Sequence, residues 1–368
     1  MRDILIVAGE ASGDLHAAAV ARELRTALPG VVLRGVGGDY MAEAGVDLIE
    51  HVGTLGVMGF AEVIASVPHH LRLLNSLVRL LESGEVAALV VVDYPGFNMR
   101  LAARARRAGV PVLYYIAPQV WAWGERRVRK LASVVDKAAV VLPFEEEFFR
   151  ARGIDAVFVG HPLLDRASEL PDREEARRAL GLPTDSKILA LFPGSRRQEL
   201  QRHLELFAAT ARVLETRGVL PVVAAAPGLL AEAQSTGLRH VEGSSLLLFR
   251  AADAALCKSG TSTLEAAVAG CPLVVAYRTS AWTYALARRL VRVPHIALVN
   301  LVGGREVAPE FVQRDATVSK LVAALEPLLQ GESFVRRRQL DGLARVRASL
   351  GTPGAAARVA GMVVSLLG

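Results

Sequence analysis

Two cysteines in 368 residues are too few for a disulfide framework, and Cys257 and Cys271 stand in apolar settings on either side of one predicted helix, so both read as reduced core residues. No Cys/His cluster has metal-ligand spacing and no Asp-x-Asp motif occurs, so neither a metal nor a cofactor is expected. Long hydrophobic runs are missing too. The longest uncharged stretch, Ala108–Gly124, is interrupted by Pro111 and Pro118 and falls short of the roughly 20 residues a membrane-crossing helix needs. The segment Met1–Ala8 runs directly into a strand without a cleavable signal region, which sets the expectation of a cytoplasmic protein. Charge is sparse at 22%, and the surplus of +6 is scattered in clusters such as Arg126–Lys130 and Arg336–Arg338 among interleaved acids. That pattern argues against a continuous nucleic-acid track and suits an anionic membrane surface or a phosphate-bearing substrate. Apolar residues, by contrast, make up 52% of the chain, which excludes disorder and at this length predicts two domains.

The stretch Asp253–Ala276 organises the rest. It reads as a buried strand, a Gly/Ser/Thr turn, a helix stopped at Gly270 and a second apolar strand, one βαβ unit whose loop lies where open parallel sheets bind ligands. Ser259, Gly260 and Thr261 offer close backbone approach and hydroxyls, and Glu265 is placed to accept from a sugar hydroxyl, which suits a nucleotide. The competing reading is a capped helix with small packing residues. In the same half, a strand ending at Phe192 runs into Pro193–Glu199 and a long helix. Gly194 gives backbone access, Ser195 reads as a cap, and Arg196 or Arg197 adds a charge-assisted fork, with Arg196 favoured. The two loops together point to a nucleoside diphosphate.

The first half repeats the strand-turn-helix theme without repeating the sequence. Gly9-Glu10-Ala11-Ser12-Gly13-Asp14 and His16 follow the first strand, and the dinucleotide fingerprint is absent because Glu10 and Asp14 oppose a pyrophosphate. These groups suit sugar hydroxyls, or alternatively cap a helix. Val90–Val92 delivers Asp93 to a sheet edge followed by Pro and Gly, which makes Asp93 the first candidate for a general base, with an N-cap as the other reading. Trp121 and Trp123 stand on one side of an extended loop as a stacking wall, or else anchor packing. A helix to about Leu81 carries Phe60, Val63, Ile64, Val67, Leu71, Leu74 and Leu77 at helical spacing, flanked by His69, His70, Arg72 and Arg79. It is a core helix or an edge in a membrane interface. The polar segment Leu163–Pro183 is the linker candidate, giving residues 1–165 as a first domain, rejoined by helices 345–368, and 166–344 as a second.

Nine ordered blocks then resemble the lipid-A-disaccharide synthase family over nearly the whole chain. They are Gly9–Asp14, Val57-Met58-Gly59, Asp93–Asn98, Pro118–Trp123, Leu142–Glu145, Gly160-His161-Pro162, Pro193–Arg196, Ser259-Gly260-Thr261 with Leu264-Glu265, and Asn300-Leu301 with Gly304-Arg305-Glu306. The resemblance implies an α/β fold of two Rossmann-like doubly wound parallel-sheet domains facing a central cleft, the GT-B type. It implies a UDP-linked diacylglucosamine donor, a 2,3-diacylglucosamine 1-phosphate acceptor, inversion at the anomeric carbon, and attachment to the cytoplasmic face of the inner membrane, with a homo-oligomer as an option. On this reading Asp93 is the base, with His16 and Glu10 in reserve. Ser12, Asp14, Met58, Asn98, Trp121, Trp123, Asn300 and Arg305 shape the acceptor side and cleft, while Gly194, Ser195, Arg196, Ser259, Gly260, Thr261 and Glu265 grip UDP. Some relatives carry a carboxylate where this chain has Gly96, which concentrates the base role on Asp93. A UDP-sugar epimerase and a non-catalytic lipid- or nucleotide-binding protein are the alternatives.

Overall fold

A computed structural model describes residues 2–54, 60–122, 125–280 and 294–368, with the side chains of residues 54, 60–66, 122, 125 and 126 left out of the description. The chain divides into two compact units, one of residues 1–162 with 351–368 and one of residues 163–350. Each has its own apolar core.

The first unit is built on β1 (Asp3–Ala8), β2 (Leu33–Gly37), β3 (Asp47–His51), β4 (Val86–Val92), β5 (Val112–Tyr115), β6 (Lys137–Val140) and β7 (Asp155–Phe158). They form one sheet in the order β3-β2-β1-β4-β5-β6-β7, with every pairing parallel. The second unit carries β8 (Lys187–Phe192), β9 (Val219–Ala225), β10 (Arg239–Glu242), β11 (Ala254–Lys258), β12 (Leu273–Tyr277) and β13 (Glu310–Val312), in the order β10-β9-β8-β11-β12-β13, again all parallel. The central strands are near-continuous apolar runs because helices cover both faces, so alternation is lost: β4 reads Val-Ala-Ala-Leu-Val-Val-Val and is buried at all but one position. Both sheets reverse their winding once, between β1 and β4 in the first and between β8 and β11 in the second. At such a reversal the loops at the carboxyl ends of the two strands diverge to opposite faces and leave a crevice.

The helix Ala11–Ala27 buries Gly13, Ala17, Ala18, Val20, Ala21 and Leu24, and its small residues let the helix Ala355–Leu367 pack closely on it. That later helix also lies against β4, β5 and β6, which is why residues 351–368 belong to the first unit. The polar, helical segment expected as a linker forms the helices Leu163–Ala167 and Arg173–Ala179, both within the second unit. In the βαβ stretch, the helix Ser262–Ala269 ends at Gly270 with φ +72°, a left-handed conformation that glycine adopts without steric cost. Both cysteines are buried and free, and burial pushes both thiols up.

Candidate active site

In the first unit the crevice at the winding reversal is formed by the turns after β1 and β4. The chain leaves β4 through Asp93 (φ 49°) and Tyr94 (φ 47°), two consecutive non-glycine residues in the left-handed region, and Ile116, just beyond β5, has φ 56°. A β-branched residue there is a genuine outlier, and strain of this kind costs on the order of 1–3 kcal/mol per residue and persists only where the surroundings impose it. Here they do. The Asp93 carbonyl accepts from the Tyr114 hydroxyl at 2.7 Å and from Asn98 Nδ2 at 2.8 Å, and its N–H donates to the Tyr115 carbonyl at 3.1 Å. Burial, with Asp93 nearby, raises the Tyr114 phenol, so it stays a donor. Asp93 is not an N-cap. That position before the helix Pro95–Arg107 is Tyr94, with no side-chain cap. The Tyr94 ring lies over Gly9, where any Cβ would fall 2.1 Å from Tyr94 Cδ1, so glycine at position 9 is what lets the β1 and β4 turns meet.

Glu10 and Ser12 are exposed at the same edge, and His16 is half-buried with its ring edge-on to Tyr115. His161 is close enough to His16 that burial and the neighbouring imidazole bring it down to about 3. Two residues expected on the acceptor side have polar atoms engaged within the fold. The buried Asp14 carboxylate takes backbone N–H bonds from Gly38 (2.7 Å), Tyr40 and Met41, so it ties the turn after β2 to the helix rather than facing a ligand. Asn98 is fully buried and donates to the Val7, Val92 and Asp93 carbonyls, stitching β1 to β4. Met58 and Trp123 lie outside the described residues, as does part of the apolar stripe of the helix Phe60–Glu82. Trp121 is an anchored ring. Its Nε1 donates to Glu145 Oε1 at 2.9 Å and it meets Phe144 edge-on.

Glu145 also accepts from the Val141 and Leu142 N–H groups, yet burial outweighs these three donors and lifts its carboxyl to about 7. A group raised in the folded state contributes stability that is complete below its unfolded value and fades as pH climbs through the folded one. We therefore expect wild type to lose about 1–3 kcal/mol relative to Glu145→Gln between pH 4.5 and 7, measured as urea midpoints of the two proteins across that range. A pH-independent difference would sink the assignment.

In the second unit the reversal holds a cavity of about 290 Å³ lined by the loops after β8, β9, β10 and β11. Gly194, Ser195, Gly260, Thr261 and Glu265, five of the seven residues expected to grip UDP, line it. Ser245 Oγ donates to Glu265 Oε1 at 3.2 Å, and burial raises the Glu265 carboxyl, opposed by Arg166 and Ser245. The other two differ. Ser259 spends its hydroxyl on the Ile296 carbonyl at 2.7 Å, so it secures the loop instead of lining the cavity. Arg196 is exposed and occupies the N-cap position of the helix Arg197–Glu215, displacing Ser195 from the capping role, while Arg197 is paired with Glu232 at 2.9 Å. Asn300 is fully buried. It holds Ala308 and Glu310 with its amide N–H groups and the Val307 and Ala308 N–H groups with its oxygen, so it shapes the Asn300–Glu310 turn. Arg305 is exposed on that turn.

Sequence reasoning missed Ser245, Glu199 and Lys258. The last two form an ion pair of 2.8 Å in the cavity wall. A lysine closing a buried Ala-Ala-Leu-Cys strand was the available signal, since a cation at the carboxyl end of a core strand needs an anion nearby. Among the described residues no group of His, Cys, Asp and Glu has the arrangement to hold a metal ion.

Two Rossmann-like units, one with Asp93 on a strained backbone turn at its sheet reversal and the other with a glycine- and hydroxyl-lined cavity at its own, have the architecture of the GT-B class. Structural comparison agrees on the fold. The chain is similar to the UDP-GlcNAc 2-epimerase of Neisseria meningitidis bound to UDP-GlcNAc (TM-score 0.68, 12% identity, covering 99% of this chain and 100% of that one) and to the glycotransferase of kitacinnamycin (TM-score 0.62, 17% identity, 100% and 99%). The family model for lipid-A-disaccharide synthetase matches residues 4–353, and the lipid-A-disaccharide synthase of Anaeromyxobacter sp. (strain K) is 44% identical over 374 residues, 99% of this chain and 97% of that protein. The chain belongs to the lipid-A-disaccharide synthase family, and is a glycosyltransferase of lipid A biosynthesis that works on a UDP-sugar donor and a lipid acceptor.

Proposed function

We propose that the protein transfers 2,3-diacylglucosamine from UDP to the 6-hydroxyl of 2,3-diacylglucosamine 1-phosphate, with inversion at the anomeric carbon and release of UDP. The observation that carries the reading is the carboxylate of Asp93, fixed at the winding reversal of the first sheet by a backbone kink that Tyr114 and Asn98 impose. Asp93 takes the proton of the acceptor hydroxyl as its oxygen attacks the anomeric carbon, and the bond from that carbon to the diphosphate breaks in line, so a single displacement suffices. Gly194, Ser195, Gly260 and Thr261 receive the charge developing on UDP, with Arg196 beside them, and Glu265 holds ribose hydroxyls.

The acceptor's acyl chains have a place to lie. A mostly apolar hollow of about 240 Å³ lined by Val67, Leu71, Leu74, Tyr94 and Phe97, with His70 and Arg100 also in its wall, opens beside the Asp93 turn. Val67 and Leu71, which rim this hollow, are 47% and 46% exposed on the helix Phe60–Glu82, and together with it they offer a lipid surface a contiguous apolar contact. No helix among the described residues is long and apolar enough to cross a membrane, so the attachment proposed is peripheral, on the cytoplasmic face of the inner membrane. Incubation with both defined lipid substrates should yield a β-linked disaccharide 1-phosphate and stoichiometric UDP by mass spectrometry and NMR. Conversion of UDP-N-acetylglucosamine alone to an epimer, without disaccharide, would replace this reading with an isomerase.

A further inference from the structure

The cavity of the second unit already holds an anion of its own. Glu199 is the third residue of the helix Arg197–Glu215, and its carboxylate turns back over the helix start: Oε2 accepts the Ser195 N–H at 3.0 Å while Oε1 takes Lys258 Nζ at 2.8 Å. The path is tight. A Cβ at Gly194, which has φ +137°, would come within 2.5 Å of Glu199 Cβ and 2.7 Å of Oε2. Gly194, Ser195, Glu199 and Lys258 all line the cavity together with Gly260 and Thr261, and a Cβ at Gly260 would lie 3.4 Å from Lys258 Nζ. Burial alone would raise the Glu199 carboxyl, but the Lys258 hydrogen bond and charge, the Ser195 N–H and Arg196 outweigh it and hold the group below its ordinary value. It is therefore ionised at neutral pH and meets an incoming diphosphate as a like charge on the same donors.

Resting on the donor-site reading above, we propose that Glu199 is an internal stand-in for the diphosphate, which displaces it and takes over the Ser195 N–H and the ammonium of Lys258. Lys258 is then a binding residue for the nucleoside diphosphate and the cation that neutralises it as it leaves. Glu199 is its gatekeeper: it keeps Lys258 aimed into the cavity and sets a penalty that only a diphosphate, with several charged oxygens, overcomes. Uridine, lacking phosphate, has no reason to move it. A static strut joining β11 to the helix start has the same geometry and the opposite consequence, because loosening a strut weakens ligand binding whereas removing a competitor tightens it.

Calorimetric titration with UDP and with uridine separates the two. Glu199→Gln should bind UDP about five- to thirtyfold more tightly than wild type, Lys258→Met about ten- to a hundredfold more weakly, and in the Lys258→Met background the gain from Glu199→Gln should shrink to the part that comes from the Ser195 N–H and like-charge repulsion. Uridine affinity should be the same in all four proteins. Glu199→Ala provides a second removal of the charge should the glutamine variant not fold. Unchanged or weaker UDP binding by the charge-removed protein, beside a wild type that binds UDP, overturns the inference and leaves the donor site standing. Failure of wild type to bind UDP at all overturns both.

Discussion

Asp93→Asn should bind UDP as wild type does and lose roughly 10²- to 10⁴-fold in transfer turnover. The substitution is nearly isosteric, and the kink that carries the side chain is held through main-chain atoms: the carbonyl by Tyr114 and Asn98, the N–H by the Tyr115 carbonyl. None of these bonds needs the carboxylate, so the amide stands where the acid stood, and the loss is chemical. UDP binding depends on the other unit and serves as the internal control. Turnover within about threefold of wild type would remove Asp93 as the base and pass the role to His16 or Glu10 at the same sheet edge.

The second large effect is on stability. Asp253→Ala should destabilise the second unit by roughly 3–5 kcal/mol, which speeds amide exchange in β8 and β11 by about 10²- to 10⁴-fold. Asp253 opens β11 and gathers four partners: Arg173 at 2.9 Å on one carboxylate oxygen, Arg177 and the Ile188 N–H at 2.8 Å on the other, and Arg336 on its carbonyl at 2.5 Å. Arg177 decides the magnitude. Its side chain is only 6% exposed and already spans the Ala251 and Thr184 carbonyls, so removing the carboxylate strands a charge in the interior. Hydrogen-exchange mass spectrometry reads the two strands separately from the first unit, which matters in a protein whose units need not melt together. Exchange within about threefold of wild type would mean that the carbonyl bonds alone satisfy Arg177.

What the sequence disclosed follows from how each feature is encoded. Central strands announce themselves as apolar runs, and Gly270 marks its helix end because few other residues tolerate that conformation. The edge strands β3 and β13, Asp47–His51 and Glu310–Val312, went unread because they are only partly buried and carry no such run. Motif spacing located both loop sets but not the direction of individual side chains. Asp14, Asn98, Ser259 and Asn300 belong to the same blocks as the residues at the crevices, yet each turns inward to satisfy backbone groups in a bent loop. Polar residues in a functional loop do either job, and only the hydrogen-bond partners tell them apart. Lys258 and Glu199 show the reverse case, two residues far apart in the chain whose pairing no local pattern records.

The helix Ala355–Leu367 carries a consequence for biosynthesis. It covers β4, β5 and β6 and the helix Ala11–Ala27, yet leaves the ribosome after every residue of the second unit has been made. The half of the enzyme that is translated first thus waits with an uncovered apolar sheet face, while the half translated later, contiguous from residue 163 to 350, has everything it needs to close. Order of synthesis and order of completion are reversed, and nascent chains stalled near residue 350 should be the ones that most need a chaperone.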